Sequence, residues 1–163
     1  MNFKTMYRQY APDVYRFALY LCGDVKWAED ITSETFLKAW IARDGIRQPT
    51  VKAYLLTIAR NLYLKQVKRH RRIADLDEQM ADDGPGPEAS ADQRARLQAT
   101  LSALQTLDEI DRTVLLLRAV EDMPYREIAA SLGMSVAAAR VKVHRARFKL
   151  AQLCGFDEIG DES

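Results

Sequence analysis

The chain has 163 residues, 48% hydrophobic and 29% charged, with a formal net charge of +1. That is enough apolar material for one domain or two small ones, and no apolar run approaches the roughly eighteen residues that a membrane span needs. The N-terminus MNFKTMYRQY mixes charges and aromatic rings where a secretory signal has an apolar stretch, so neither membrane insertion nor export is expected, and the cytoplasm is the expected location.

Apolar residues Phe3, Tyr7, Tyr10, Val14, Phe17, Ala18 and Leu21 recur at steps of three and four, which predicts an amphipathic helix closed at Cys22-Gly23-Asp24. A second helix is expected from about Val25 to Ala42. A third begins after Pro49, with Val51, Tyr54, Leu55, Ile58 and Leu62 on one stripe. Lys65 and Arg69 continue that stripe, so the helix outruns its core and its last two turns are expected to stand clear of the apolar body.

From Ile73 the periodicity dissolves into ADLDEQMADDGPGPEASADQ. Its GPGP and dense acids cannot bury enough surface to offset the entropy of ordering, which predicts a flexible linker. Such a linker reaches at most roughly 60 Å when extended and on the order of 25 Å as a coil. Periodicity returns with Leu97, Leu101, Leu104 and Leu107, then with Ile110, Val114 and Leu117, giving two more helices. No useful strand alternation is present, so the expected class is all-α: two small helical domains joined by an acidic linker.

The stretch YREIAASLGMSVAAARVKVHRARFKL, residues 125 to 150, carries five Lys/Arg and one His in its last eleven positions. Pro124 suits a helix start, Gly133 a left-handed stop and Ser135 the cap of a following helix. A helix, a short turn at Leu132 to Met134 and a second helix is helix-turn-helix spacing. On the wheel Val136, Ala139, Val143, Ala146 and Leu150 fall within about 80° and face a core. The opposite face presents Ala137, Ala138, Val141, His144 and Arg145, flanked by Arg140, Lys142, Arg147 and Lys149 as candidate phosphate contacts. Phe148 falls near this outward face with nothing in the sequence to cover it except a partner.

The charge is segregated along the chain. Between Gly45 and Ala74 stand eight Lys/Arg and no acid; between Asp75 and Asp92 stand seven acids and no base. Two basic blocks around an acidic spacer point to polyanion contacts at two places. Catalysis, a metal and a cofactor are not expected. Cys22 and Cys154 lack a C-x-x-C partner, His70 and His144 lie 74 positions apart, and no Gly-rich phosphate loop occurs.

Two stretches together resemble one family, the extracytoplasmic-function (group IV) sigma factors of bacterial RNA polymerase, within the sigma-70 family. AEDITSETFLKAW, residues 28 to 40, with AYLLTIARNLYLKQVKRHRR, residues 53 to 72, resembles sigma region 2; residues 125 to 150 resemble sigma region 4. The resemblance covers nearly the entire chain apart from the linker and the tail after Cys154. It implies an alternative sigma factor that binds core RNA polymerase, directs it to specific promoters and assists strand opening. It also implies a division into region 2 (1–73), linker (74–92), region 4 (93–156) and tail (157–163).

The resemblance further implies roles for individual residues. Asp30, Glu34 and Phe36, with Leu37 beside them, match the segment that docks on the largest polymerase subunit. An acidic and apolar ridge suits a basic partner. Asn61 matches a position at the downstream (minus-ten) element, Ile46 to Thr50 the loop that takes up a flipped base, and Lys65, Lys68, Arg69, Arg71 and Arg72 the backbone contacts of the opening duplex. Ser135, Ala138, Arg140, Val141, Lys142, His144 and Arg145 match the upstream (minus-thirty-five) reading helix. The sequence departs from the family where Ile46 replaces a frequent aromatic and Lys65 a frequent acid. It departs again where Ala137-Ala138-Ala139 replaces the usual Gly-Thr-Val, so the bases read do not follow from the resemblance. Implied partners are core polymerase and promoter DNA, with an anti-sigma factor as a further candidate. An autonomous helix-turn-helix regulator leaves the N-terminal body unexplained, and a protein-only adaptor leaves both basic faces unexplained.

Overall fold

A computed structural model describes residues 2–45, 50–74 and 90–154, with side chains assigned up to Arg71 in the second of these segments. The expected flipped-base loop at Ile46, the linker body 75–89 and the tail 157–163 lie outside the described residues. Contacts divide the chain into two compact units, Met1–Gly84 and Pro85–Ser163. The described residues form helices and no strand.

The first unit holds α1 (Phe3–Cys22), α2 (Val25–Ile41) and α3 (Val51–Ala74), with a short 3-10 turn at Arg43–Gly45. Asn2 caps α1 by accepting from the Thr5 amide at 2.8 Å, and Gly23 ends it at φ 75°. Asp24 immediately caps α2, accepting from the Trp27 amide at 2.8 Å. Stop and start therefore share two residues and the helices fold back as a hairpin. Their core interleaves Val14, Phe17, Ala18 and Leu21 with Ala28, Ile31, Phe36 and Ala39. Asp13 ties α1 to α3 through Lys52 at 3.7 Å.

On α3 the buried residues are Ala53, Leu55, Leu56, Ala59, Leu62 and Tyr63, while Val51, Tyr54 and Ile58 are half-buried. The core face is thus turned away from the stripe read in the sequence, by roughly 100° at 100° per residue, with Leu55 and Leu62 shared by both. The cause is an apolar arc on α3 too wide to have a unique centre, within which packing selects the side with small Ala53 and Ala59. The end of α3 also stands less clear than expected. Gln66 and Val67 are half-buried, and the His70 ring packs 4.8 Å from that of Trp27.

The second unit holds α4 (Ala91–Gln105), α5 (Glu109–Leu115), α6 (Tyr125–Leu132) and α7 (Val136–Cys154). Ser90 and Gln93 form a reciprocal capping box, each side chain accepting from the other's amide at 3.2 Å. Ala91 and Asp92, read as linker, are therefore the first turn of α4, where the Asp92 charge suits the helix's positive end. Likewise Ala74 belongs to α3.

Residues 111 to 117 on α5 and its continuation are buried without a break, with α7 packed along α5 and α6 against the continuation. The last turn opens into a π-turn, Leu116–Val120, with the Glu121 amide donating to the Leu116 carbonyl at 3.0 Å. Buried Arg112 donates to the carbonyls of Leu107 at 3.1 Å and Leu104 at 3.4 Å, satisfying the end of α4.

Gly133 closes α6 at φ 65° and Ser135 caps α7, accepting from the Ala138 amide at 3.1 Å. The wheel holds for Ala139, Val143 and Ala146, all fully buried, and Leu150 is half-buried. It fails at Val136, which is 40% exposed. Val136 is the first residue of α7, and the packed seam starts one turn later.

A side chain added at Gly133 meets nothing within 4 Å, so any penalty is backbone alone. Gly133→Ala should lower stability by about 1 kcal/mol and Gly133→Asn by less. Urea unfolding followed by circular dichroism reads this as a lower midpoint at unchanged slope; an unshifted midpoint for Gly133→Ala contradicts the left-handed stop.

Candidate protein and nucleic-acid interfaces

The inner face of α2 carries Ala28, Ile31, Thr32, Thr35, Phe36 and Ala39. The two threonine hydroxyls are buried because each donates within the helix, Thr32 to Ala28 at 2.7 Å and Thr35 to Ile31 at 2.6 Å. Opposite them lie Asp30, Glu34, Leu37 and Ile41 at steps of four, three and four, all exposed. Leu37 is 59% and Ile41 73% exposed, one turn apart, so the ridge is acidic at its start and apolar at its end.

Ile41 was not among the expected residues, although its four-residue step from Leu37 signals it. Phe36 must be reassigned. It is 1% exposed and its ring meets Tyr7 at 4.9 Å. Its place in the sequence motif reflects the core beneath the ridge, since position 36 lies nearly opposite 34 and about 100° from 37 on the helix. Beyond it Phe3 meets Trp40 edge-on at 5.5 Å, and Arg43 lies 4.2 Å over Trp40 while donating to its carbonyl at 2.7 Å.

Asn61, Lys65 and Lys68 lie in one line along α3, with Arg69 beside them, and all four are exposed. Trp27 of α2 packs 5.5 Å from the Tyr63 ring and 4.8 Å from the His70 ring. Near this contact Asp24, Trp27, Asp30, Gln66, Arg69 and His70 line a groove of about 360 Å³. One residue expected on the protein-docking ridge and one expected at DNA therefore face the same groove. Trp27 lies on the ridge line of α2, seven residues before Glu34, but spacing alone does not show that its ring turns toward α3 instead of outward. Ile46 lies outside the described residues, as does the side chain of Arg72. Among the described residues no cluster of His, Cys, Asp or Glu is arranged to hold a metal.

The turn Gly133 to Ser135 presents the outer face of α7. Ser135, Ala137, Arg140, Val141, His144 and Arg145 are exposed there; Ala138 and Lys142 are half-buried. Small residues at the leading end leave the backbone open to close approach, and the cations begin one turn on. Phe148 is 65% exposed on the same face. Lys149, expected as a flanking phosphate contact, is exposed but reaches across to α5, its Nζ 3.3 Å from the mostly buried Asp111 carboxylate. Local spacing carries no hint of this pair, whose members stand 38 positions apart.

Residues 6–73 match the family model for Sigma-70 region 2, and residues 97–150 match that for Sigma-70, region 4. The ECF RNA polymerase sigma factor SigE of Mycolicibacterium smegmatis is 36% identical over 156 residues; the match takes in 91% of this chain, which spans 60% of that protein. The RNA polymerase sigma factor CarQ of Myxococcus xanthus is 32% identical across 96% of this chain and 91% of its own length. Among solved structures, the sigma factor RpoE of Bartonella quintana, in complex with the anti-sigma factor NepR, is similar with a TM-score of 0.80 at 30% identity. That similarity covers 96% of this chain and 98% of the other.

With its partner identified, Lys149→Ala should act on stability. It leaves a mostly buried Asp111 carboxylate unpaired, a loss of about 1 kcal/mol, and should leave the salt dependence of DNA binding unchanged. Parallel urea unfolding and salt-titrated DNA binding check this; a slope reduced by about one ion at unaltered stability would return Lys149 to the DNA.

Proposed function

Since the chain belongs to the extracytoplasmic-function group of the sigma-70 family, we propose a residue-level account of how its helices carry out the family's work. Sigma domains direct RNA polymerase to promoters, and promoter-specific transcription initiation is this chain's function. The ridge Asp30, Glu34 and Leu37, extended by Ile41, docks on core polymerase. Its carboxylates steer encounter with a basic surface, and its apolar end supplies area that water leaves on contact. Phe36 supports the ridge from inside.

Asn61 faces bases of the downstream element, while Lys65, Lys68 and Arg69 hold its backbone as the duplex opens. On α7, Arg140, Val141, His144 and Arg145 meet base edges of the upstream element. Ser135 and Ala138 allow the helix start to approach, and Lys142 lies toward the backbone. Ile46 is carried into this account only by its place in the family motif. The domain limits proposed are region 2 to residue 73 and region 4 from about Ala91. The protein acts as a binding and positioning factor without catalysis of its own, and it works in the cytoplasm.

The observation that best supports the reading is the pairing, within one chain, of an exposed acidic and apolar ridge on α2 with an exposed cationic face on α7. A helix-turn-helix regulator has no use for the former. Run-off transcription with core polymerase on a promoter library tests it, with specific initiation expected; tight binding to core without initiation on any template overturns the downstream assignment.

Asp30→Lys combined with Glu34→Lys should abolish co-elution with core polymerase at unchanged helical content, because both side chains are exposed. Undiminished co-elution removes the docking role from this ridge.

Arg145→Ala should cost roughly 1 to 3 kcal/mol on the preferred upstream element and flatten preference at one or two base positions. Competition among randomised upstream elements reads the difference. An equal loss on every sequence means that Arg145 holds backbone only.

A further inference from the structure

Arg140 does not project freely from α7. Its guanidinium carbon lies 5.3 Å from the centroid of the Tyr125 ring, at the start of α6. A second guanidinium, that of Arg118 in the π-turn ending α5, lies 4.8 Å from the same centroid. Arg118 is itself tied down: Nη1 donates to the Met123 carbonyl at 3.3 Å and lies 3.8 Å from the Asp122 carboxylate. Asp122 holds a left-handed φ of 54° at the bend into α6. The ring is half-buried and thus joins three elements: the π-turn, the first helix of the helix-turn-helix and the DNA-facing helix.

We propose that Tyr125 is a positioning residue for Arg140, its ring face holding the guanidinium in the orientation that α7 offers to upstream DNA. Tyr125 then sets base preference through Arg140 and not by contact of its own. The idea rests on the reading of α7 as the upstream-element helix. A free arginine gives up much rotamer freedom when its planar fork is fixed against a base, and a side chain already held against a ring has lost part of it beforehand. An aromatic face attracts a cation within about 6 Å. The Arg118 charge beside the same ring is offset by Asp122 and the Met123 carbonyl, which leaves that ring an anchored platform for Arg140. The role uses the ring face and not the hydroxyl, so phenylalanine should serve as well.

The test uses the full chain assembled with core polymerase, competing for promoter duplexes randomised in the upstream element. Arg140→Ala should lower affinity and flatten preference at its base position. Tyr125→Phe should match the native chain. Tyr125→Leu should weaken binding to the preferred element about two- to five-fold and flatten preference at that same position, yet cost nothing further in the Arg140→Ala background. Should Tyr125→Leu perturb folding, a series of increasingly fluorinated phenylalanines at position 125 keeps the ring's shape while draining its face of negative charge. Affinity should fall stepwise along that series. If Arg140→Ala changes nothing, the reading of α7 itself fails. If Arg140→Ala acts but Tyr125→Leu costs the same factor with or without Arg140, Tyr125 meets DNA directly and the positioning role is wrong. A flat fluorination series also overturns it.

Discussion

The geometry of the DNA-facing helix hangs on a seam of three small side chains, Ala139, Val143 and Ala146, each fully buried. They lie at steps of four and three, so they mark one narrow line along α7. Small residues let α7 approach α5 closely, and a narrow line of contact commits the rest of its circumference to solvent. Once the seam is fixed, Val141, His144 and Arg145 have no inward rotation available. The dense positive charge of this helix is therefore tolerated because only its uncharged edge is buried, and the one lysine that pairs with α5 stays half exposed. Lys149 and Asp111 sit at the far end of the seam, where the pair adds direction more than net energy.

The same division of labour appears on α2 in the first unit. Its buried side is built from small and β-branched residues with one large ring, Phe36, and its exposed side runs from carboxylates to bare aliphatic groups. Leu37 and Ile41 have no reason to face water in an isolated three-helix unit, since burying either would stabilise it. Their exposure makes sense as a surface kept for contact, as exposed apolar groups rimmed by charge generally are. The aromatic cluster of Phe3, Tyr7, Phe36 and Trp40 stiffens the ground under them.

How much of this was legible in the sequence depended on whether one signal had a single physical answer. Helix ends at Gly23 and Gly133 were readable because a left-handed glycine followed at once by a capping side chain leaves little choice. The seam of α7 was readable because charges occupy nearly every other position and leave one line for the core. On α3 apolar residues occupy so much of the circumference that a wheel cannot find the centre, and packing placed it near Ala59 and Tyr63. Phe36 was misjudged because a motif tells which residues travel together and not which way each one points. Lys149, Arg112, Trp27 and Tyr125 make their contacts with other helices or with backbone carbonyls. Nothing in local spacing encodes such meetings, and the π-turn that brings Arg118 under Tyr125 is equally silent.

Both basic faces then share one limitation of their charge. Lysine and arginine contacts to phosphate supply affinity that is insensitive to sequence and screened by salt, so cations alone cannot pick a promoter. Discrimination has to come from side chains whose direction is set before DNA arrives. On α7 the buried seam gives that direction for the helix as a whole, and the role proposed for the Tyr125 ring is to give it for Arg140. On α3 the packing of Trp27 against Tyr63 and His70 does the same for the start of the basic stretch. It also joins that stretch to the helix bearing the docking ridge. In the proposed reading, a packed contact of this kind holds the helix assigned to the opening duplex against the helix assigned to polymerase, which a floppy basic tail would not do.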